Sequence, residues 1–362
     1  MAVTAVGREN ELDVAGEARI YRSLRHFWHP VAYAKDLGEG PLGATLCDQD
    51  IVVTRFGDDV SAFDDLCAHR GTRLSLGRVI DGCELECPYH GWRYNAEGEC
   101  TLAPQRPELA SHLRARVRRY PAAERFGLIW VSLVEEPHFP LPDYPAWSDP
   151  DCHYITVPAT DWAASAPRRV ENYTDYSHLA IVHDGYLGRS DEPEIPEHEI
   201  WAEENRLECR QDPRSWTRVP VEGVYQAMGG EGEGEVEKIR YRTDWTLFMP
   251  LTVSLTVSFE EGGSYFLLFH PTPIGAKRIR NFTIASRNFG DPARDEEEVA
   301  TFETMIYEQD RPVVESQRPE ELPEDLSAEM HLKGVDTFSI QYRRWLVELA
   351  KELDDDPGAD PA

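Results

Sequence analysis

The sequence predicts an α+β fold in two units, a small all-β one followed by a larger mixed one. Three observations carry this. From Phe27 to Val134, short apolar and β-branched runs are punctuated by turn residues, Gly77, Gly82, Gly91 and Gly98 among them. Pro137, Pro140, Pro142, Pro145 and Pro150 then crowd together, and repeated proline breaks both helix and ladder. Beyond them, helical patterns and a strictly alternating strand share the chain. An arm is expected at 1–26, the all-β unit at 27–140 and the mixed unit at 141–362.

The elements follow in order. Residues 1–25 read as a polar arm with one short helix. Ile51–Phe56 is a strand, Gly57-Asp58-Asp59 a turn, and Val60–Phe63 the returning strand. Arg168–His183 reads as one helix rich in polar groups. Met228–Glu237 is acidic and glycine-rich, a mobile loop by composition, either a solvated insertion or a lid. Leu251, Val253, Leu255, Val257 and Phe259 alternate with Thr252, Ser254, Thr256 and Ser258, a strand with one apolar and one hydroxylic face. Gly262-Gly263 turns into a strand at Tyr265–His270, and Lys277–Arg287 supplies another. Asp295–Gln317 is a long helix kinked at Pro312, and Phe338–Leu353 an amphipathic one.

Composition excludes several classes. The net charge of -29 opposes a nucleic-acid backbone or an anionic membrane surface. The longest apolar run, Phe126–Val134, falls far short of the roughly 20 residues of a spanning helix. Met1–Ile20 has no apolar core of a secretory signal. Seven cysteines in 362 residues do not make a disulfide scaffold, so a reducing, cytoplasmic setting is expected.

Four cysteines fall between Cys67 and Cys100. Cys67-Ala68-His69 and Cys87-Pro88-Tyr89-His90 each place one sulfur just ahead of one imidazole. A structural zinc site pairs Cys with Cys and His with His at short spacing, which this is not. A [2Fe–2S] centre with two thiolates on one iron and two imidazoles on the other takes one Cys and one His from each of two facing loops. Gly71 and Gly91 let backbone N–H groups approach such a cluster, and Trp92 can shield it. Cys83 and Cys100 lack a partner histidine and are expected to be buried thiols. Leu66–Trp130 holds ten arginines against seven acidic residues, a basic patch on an acidic protein. Those arginines either pair with neighbours or steer an acidic electron donor.

Cys67–Gly71 (CAHRG) and Cys87–Trp92 (CPYHGW) closely resemble the Rieske domain of ring-hydroxylating oxygenases. The second cysteine pair of respiratory Rieske proteins is missing, which implies an oxygenase-type centre of lower potential. Further on, Asn172, Asp175, His178 and His183 match that family's N-x2-D-x2-H-x4-H pattern at every spacing. Taken alone, two histidines five apart diverge by about 140° on an ideal helix, so both reach one metal only if the helix is distorted. The resemblance implies a mononuclear non-heme iron on two histidines and one carboxylate. The stretch Tyr307–Gln317 resembles the phthalate, vanillate and dicamba monooxygenase branch, in which an aspartate closes the triad. Asp310 fits best, with Glu308 and Glu315 as alternatives.

The resemblance implies more. Cys67, His69, Cys87 and His90 hold the cluster, and His178, His183 and Asp310 hold Fe(II). Asp175 and Asn172 are the catalytic residues beside them. Asp175 orients His178 and bridges to His90 of a neighbouring chain, so a homotrimer is expected. The fold is a Rieske domain followed by a helix-grip domain, a curved antiparallel sheet around a long helix. The protein is then the α (oxygenase) subunit of a multicomponent system. It uses O2 and electrons from an NAD(P)H-dependent reductase, with a ferredoxin or flavin reductase as donor. It hydroxylates or oxidatively demethylates a small aromatic substrate, as a monooxygenase rather than a dioxygenase. Alternatives are an N-demethylase or hydroxylase of a non-aromatic amine and, in a different class, a Rieske electron carrier without catalysis. A carrier would leave the second unit and its second motif unexplained.

Overall fold

Short alternating runs between tight turns can form only short strands, and the first unit is built from them. The computed structural model describes residues 14–112, 114–219, 239–260, 262–290 and 296–354. Strands β2 (Leu42–Leu46), β3 (Gln49–Phe56), β4 (Asp59–Asp64) and β9 (Arg119–Tyr120) make one antiparallel sheet, and β1 (His29–Tyr33), β11 (Leu128–Val131) and β10 (Ala122–Arg125) a second. A third, β5 (Arg78–Ile80), β6 (Glu84–Glu86), β7 (Arg93–Tyr94) and β8 (Cys100–Leu102), carries the cysteine–histidine loops at its ends. Phe63, Leu74, Leu85 and Tyr94 pack beneath those loops with Cys67 and Cys87.

The second unit is a large antiparallel sheet in the order β12 (His153–Trp162), β19 (Arg278–Arg287), β18 (Ser264–Gly275), β17 (Thr252–Phe259), β16 (Ile239–Phe248), β14 (Arg206–Gln211), β13 (His198–Glu203). The short β15 (Thr217–Val219) pairs with β16. Helix α4 (Glu296–Ser316) packs on this sheet. Its buried residues, Val299, Phe302, Glu303, Ile306, Tyr307, Asp310 and Val314, recur at three- and four-residue steps, the signature of one inward face. Two carboxylates lie on that face. Pro312 falls inside the helix without ending it.

The units are stitched together by buried polar contacts. His29 Nδ1 meets His270 Nε2 at 3.0 Å, and the Tyr33 hydroxyl donates to the Val157 carbonyl at 2.6 Å. Helix α1 (Val14–Ser23) packs on the C-terminal helix α5 (Thr337–Asp354), with Arg19 and Arg22 both paired to Asp354. The expected arm therefore carries an anchored helix.

Two expectations are corrected. Arg168–His183 is not one helix: α2 (Ala166–Tyr173) ends, and a single turn, α3 (Leu179–Val182), follows. The Thr174 hydroxyl donates back to the Val170 carbonyl at 2.9 Å. The Asp175 carboxylate takes the backbone N–H groups of Ser177 and His178, at 2.8 and 3.2 Å. Such local side-chain bonds compete with the helix ladder and start a new turn. Cys83 is exposed, not buried, because it sits at the tip of the β5–β6 hairpin just after Asp81 and Gly82, both at positive φ. Cys100 is buried as expected. The acidic segment 228–237 lies outside the described residues.

Candidate functional site

The two cysteine–histidine loops are the same turn used twice. The Gly71 N–H donates to the Cys67 carbonyl and the Gly91 N–H to the Cys87 carbonyl, at 2.8 and 3.1 Å. The Cys67 and Cys87 N–H groups donate to the carbonyls of Thr72 and Trp92, each at 2.8 Å. Gly71 and Gly91 have φ of 65° and 68°, a region unfavourable to residues with a Cβ. The repeat brings both sulfurs and both imidazoles to one place. Cys67 and Cys87 are free and buried, and the His69 and His90 rings are 4.6 Å apart. Trp92 stacks on His69 at 4.5 Å, and Cys67 Sγ lies 3.1 Å from the Tyr94 hydroxyl. His69 Nδ1 is buried without a hydrogen-bond partner. Burial, His90 and Arg70 together hold His69 below the usual histidine range. A neutral, unpartnered nitrogen beside two buried thiols fits an iron–sulfur cluster.

The helix break sets the second site. His178 is the N-cap and His183 the C-cap of the one-turn α3, and His183 departs from helical geometry at φ -110° and ψ 36°, so the pair does not sit on one continuous helix. His178 Nδ1 lies 3.2 Å from Asp175 Oδ2, and His183 Nδ1 lies 2.7 Å from Gln309 Oε1. Each Nδ1–H donates to an oxygen, leaving both Nε2 lone pairs free. These point at Asp310 Oδ1, at 3.6 and 3.0 Å. The shorter approach is not aligned as a hydrogen bond, and His183 Nε2 has no partner. Two lone-pair oxygen and nitrogen atoms facing each other call for a cation between them. Among the described residues, His178, His183 and Asp310 form a group whose ligand atoms all lie within 4.8 Å of one another. Burial raises the Asp310 carboxyl, but the His183 contact and the charge of Arg169 outweigh it and hold it well below the usual range.

Asn172 lies beside this group rather than in it, its amide nitrogen 3.3 Å from Asp310 Oδ1. Glu308 and Glu315 are elsewhere: both pair with Arg311, and Glu315 also accepts from the Ala163 N–H. Three residues at the site carry no sequence motif. Arg169 is fully buried, paired to Asp310 at 2.9 Å, bonded to Asn172, and packed on the rings of Trp162, Tyr173 and Tyr307. Gln309 orients His183. Glu303 sits two helical turns before Asp310 on the same face, and that spacing is the signal that could have found it. All three lie on the elements that bear the motif residues.

A cavity of about 80 Å³ lies between α4 and the sheet, lined by His178, His183, Asp310, Glu303 and apolar walls that include Leu255 and Val257 of the alternating strand. Leu187, Tyr241 and Thr243 also line a larger, polar chamber of about 810 Å³.

A Cys/His double loop with both cysteines buried and a two-histidine, one-carboxylate cluster beside a large antiparallel sheet define a class, the Rieske non-heme iron oxygenases. The Rieske [2Fe-2S] domain family matches residues 27–121, and the vanillate O-demethylase oxygenase C-terminal domain family matches residues 162–352. Methylxanthine N1-demethylase NdmA of Pseudomonas putida is 34% identical over 334 residues, 90% of this chain and 89% of that protein. Methylxanthine N3-demethylase NdmB of the same organism is 33% identical over 341 residues, 90% of each. The solved structure of NdmA with caffeine superposes with a TM-score of 0.80 at 31% identity, covering 94% of this chain and 95% of that one. Dicamba monooxygenase bound to dicamba, at 21% identity and a TM-score of 0.67 over 92% and 99% of the two chains, shares the fold. The chain belongs to the Rieske non-heme iron oxygenases, in the branch with a vanillate O-demethylase-type catalytic domain. It is the oxygenase component, a monooxygenase-type enzyme with a [2Fe–2S] cluster and a mononuclear iron, and it takes electrons from a reductase or ferredoxin.

Proposed function

We propose that this enzyme removes an N-methyl group from a small aromatic nitrogen heterocycle. The observation that carries the reading is the cavity. Among its described lining residues the one permanent cation, Arg169, is already held by Asp310 and covered by three aromatic rings. Arg169 Nε and Nη2 have no hydrogen-bond partner among the described residues, but Asp310 already neutralises the charge, so an aromatic acid finds no unpaired counter-charge there, whereas a planar neutral heterocycle meets apolar walls. Its similarity to two methylxanthine N-demethylases over 90% of the chain supports the same class. No observation favours a non-aromatic amine.

In this reading Cys67, His69, Cys87 and His90 of the cluster unit (27–140) hold the [2Fe–2S] cluster. His178, His183 and Asp310 of the catalytic unit (141–362) hold the mononuclear iron. When bound, the two groups supply single electrons and O2 activation at a substrate carbon. The protein's own work is placement. Asp175 and Gln309 fix the two imidazoles, Arg169 and Asn172 fix the carboxylate, and Leu255, Val257, Leu267 and Phe269 exclude water. Hydroxylation of an N-methyl carbon gives a carbinolamine that releases formaldehyde.

The working unit is a homotrimer, in which Asp175 of one chain meets His90 of the partner subunit. Supporting this, Leu66, Leu76 and Tyr89 are exposed around the cluster loops, and Ile181 and Val313 beside the iron site. These apolar patches are suited to cover each other. The electron donor is a ferredoxin or flavin reductase with an acidic face. Several arginines of the basic unit pair locally, Arg73 with Asp50 and Arg78 with Glu86 for example. Arg70, Arg114 and Arg119 have no ion-pair partner among the described residues and remain for docking. No helix among the described residues is long and apolar enough to cross a membrane. All seven thiols are free, which accords with a cytoplasmic setting. The test is formaldehyde release from a panel of N-methyl heterocycles and methoxybenzoates, with a surrogate reductase and NADH. Turnover of methoxybenzoates alone would overturn the reading.

A further inference from the structure

Glu303 is a buried carboxyl for which the chemistry above has no use. It is 3% exposed and lines the cavity. Its Oε1 accepts from the Tyr265 hydroxyl at 2.8 Å, and Oε2 has no hydrogen-bond partner among the described residues. A carboxylate buried for structure alone looks different in this protein. Glu171 has both oxygens on the Arg343 guanidinium, at 2.5 and 2.8 Å. A half-satisfied carboxyl in an apolar wall is costly unless something else completes it.

Resting on the N-demethylation reading, we infer that Glu303 selects the substrate by accepting a hydrogen bond from a ring N–H at the end away from the oxidised methyl. The geometry supplies the span. Glu303 and Asp310 are seven residues apart on one helix face, about 10 Å along the axis. One planar ring with its methyl group fills that distance once about 3 Å for a hydrogen bond at one end and about 3.5 Å for van der Waals contact at the other are subtracted. Leu255, Val257, Leu267, Phe269, Phe302 and Ile306 supply the walls between. Among these lining residues Glu303 is the one carboxylate outside the iron-site group. Burial pushes its carboxyl up to about 7, and a donor nitrogen at Oε2 would offset part of that burial. A ring N–CH3 in place of N–H leaves Oε2 unpaired and adds bulk against it.

The test uses matched ligands on the metal-loaded holoenzyme: theobromine, which keeps one ring N–H, against caffeine, which has none. An N-methyluracil and its dimethyl homologue form a single-ring pair. Calorimetric titration should show the N–H member of at least one pair binding roughly ten- to hundredfold tighter. In Glu303→Leu that preference should collapse to within about twofold. Glu303→Gln, nearly isosteric, keeps an acceptor but adds a donor, and should fall between the two. Equal binding of N–H and N–CH3 members by the wild type, a preference that survives in Glu303→Leu, or no binding of any member each overturns the inference. Selective binding without formaldehyde release upholds Glu303 as the selecting group while overturning N-demethylation, so the two failures are distinguishable.

Discussion

The seam between the two units should make the protein sensitive to mild acid, through one pair of histidines. His29 Nε2 lies 2.7 Å from the Leu24 carbonyl, so that nitrogen carries the proton. His29 Nδ1 is then an acceptor, and His270 Nε2–H donates to it at 3.0 Å. His270 Nδ1 in turn accepts from the Thr252 hydroxyl at 2.8 Å. The chain has no place for another proton, and burial pushes His29 down to about 4 and His270 well below the ordinary value of 6.5. Both are neutral when folded, whereas the unfolded chain protonates them below about 6.5, so it binds more protons and stability falls as pH falls. For His29 the effect is absent above about pH 6.5 and levels off below about pH 4. At about 1.4 kcal/mol per pH unit, His29 alone accounts for about 3 kcal/mol, of which roughly 2 is lost between pH 7 and pH 5. His270 acts in the same direction. The assay is urea unfolding of the holoprotein at about pH 7 and pH 5, comparing wild type with His29→Gln/His270→Gln. The double variant should be weaker at neutral pH but should lose at least about 2 kcal/mol less on acidification. Equal losses in both proteins would refute the reasoning.

Other expectations concern the metal sites and the helix that carries them. His178→Ala, His183→Ala and Asp310→Ala should each lose mononuclear iron, measured by metal analysis, while the Rieske absorbance remains. Retention in Asp310→Ala with loss in Glu308→Ala or Glu315→Ala would reassign the carboxylate. Arg343→Met leaves the buried Glu171 with only the longer Arg168 contact at 3.7 Å and should cost about 3 kcal/mol in urea unfolding. Adding Glu171→Leu should recover part of that, and no recovery would refute the pairing. Asp175→Asn should leave both metals bound yet slow electron arrival at the iron, read by single-turnover kinetics. Mixed oligomers of His90→Ala and His178→Ala chains should regain activity, and their failure to do so would argue for transfer within one chain.

The sequence is most legible where chemistry demands fixed residue types. Cys67, His69, Cys87 and His90 declare their loops because few other arrangements use one sulfur and one imidazole per tip. The alternating strand at 251–259 declares its cavity wall because period two leaves no second reading. The metal helix is misread for a definite reason: its polar run Asn172–His178 is made of poor helix formers, and Thr174 and Asp175 bind backbone groups there and break the ladder. Arg169, Gln309 and Glu303 are invisible to motif reasoning because their role comes from where α4 and α2 pack. Glu303 reads as one more glutamate on an acidic helix until its face is known. Cys83 is misplaced because a thiol's burial follows from the hairpin that carries it, and Asp81-Gly82 turns that hairpin outward.

The helix break is more than an accommodation of two ligands. Asp175 Oδ1 takes the Ser177 N–H and hydroxyl, at 2.8 and 2.7 Å, and Oδ2 takes the His178 N–H and ring Nδ1, each at 3.2 Å. One carboxylate thus ends one helix, starts the next and sets the tautomer of a proposed iron ligand. Its side chain is 28% exposed, so it is also where that ligand's environment meets the surface. A continuous helix would separate these tasks: the histidines would diverge, and a carboxylate three residues before the first would have no backbone groups to hold. Any group docking on Asp175 from outside competes for the oxygen that holds His178, and so acts on the iron site through a single hydrogen bond. That coupling gives a physical reason to place the electron's point of entry at Asp175, because the contact that would deliver the electron also adjusts the ligand that receives it.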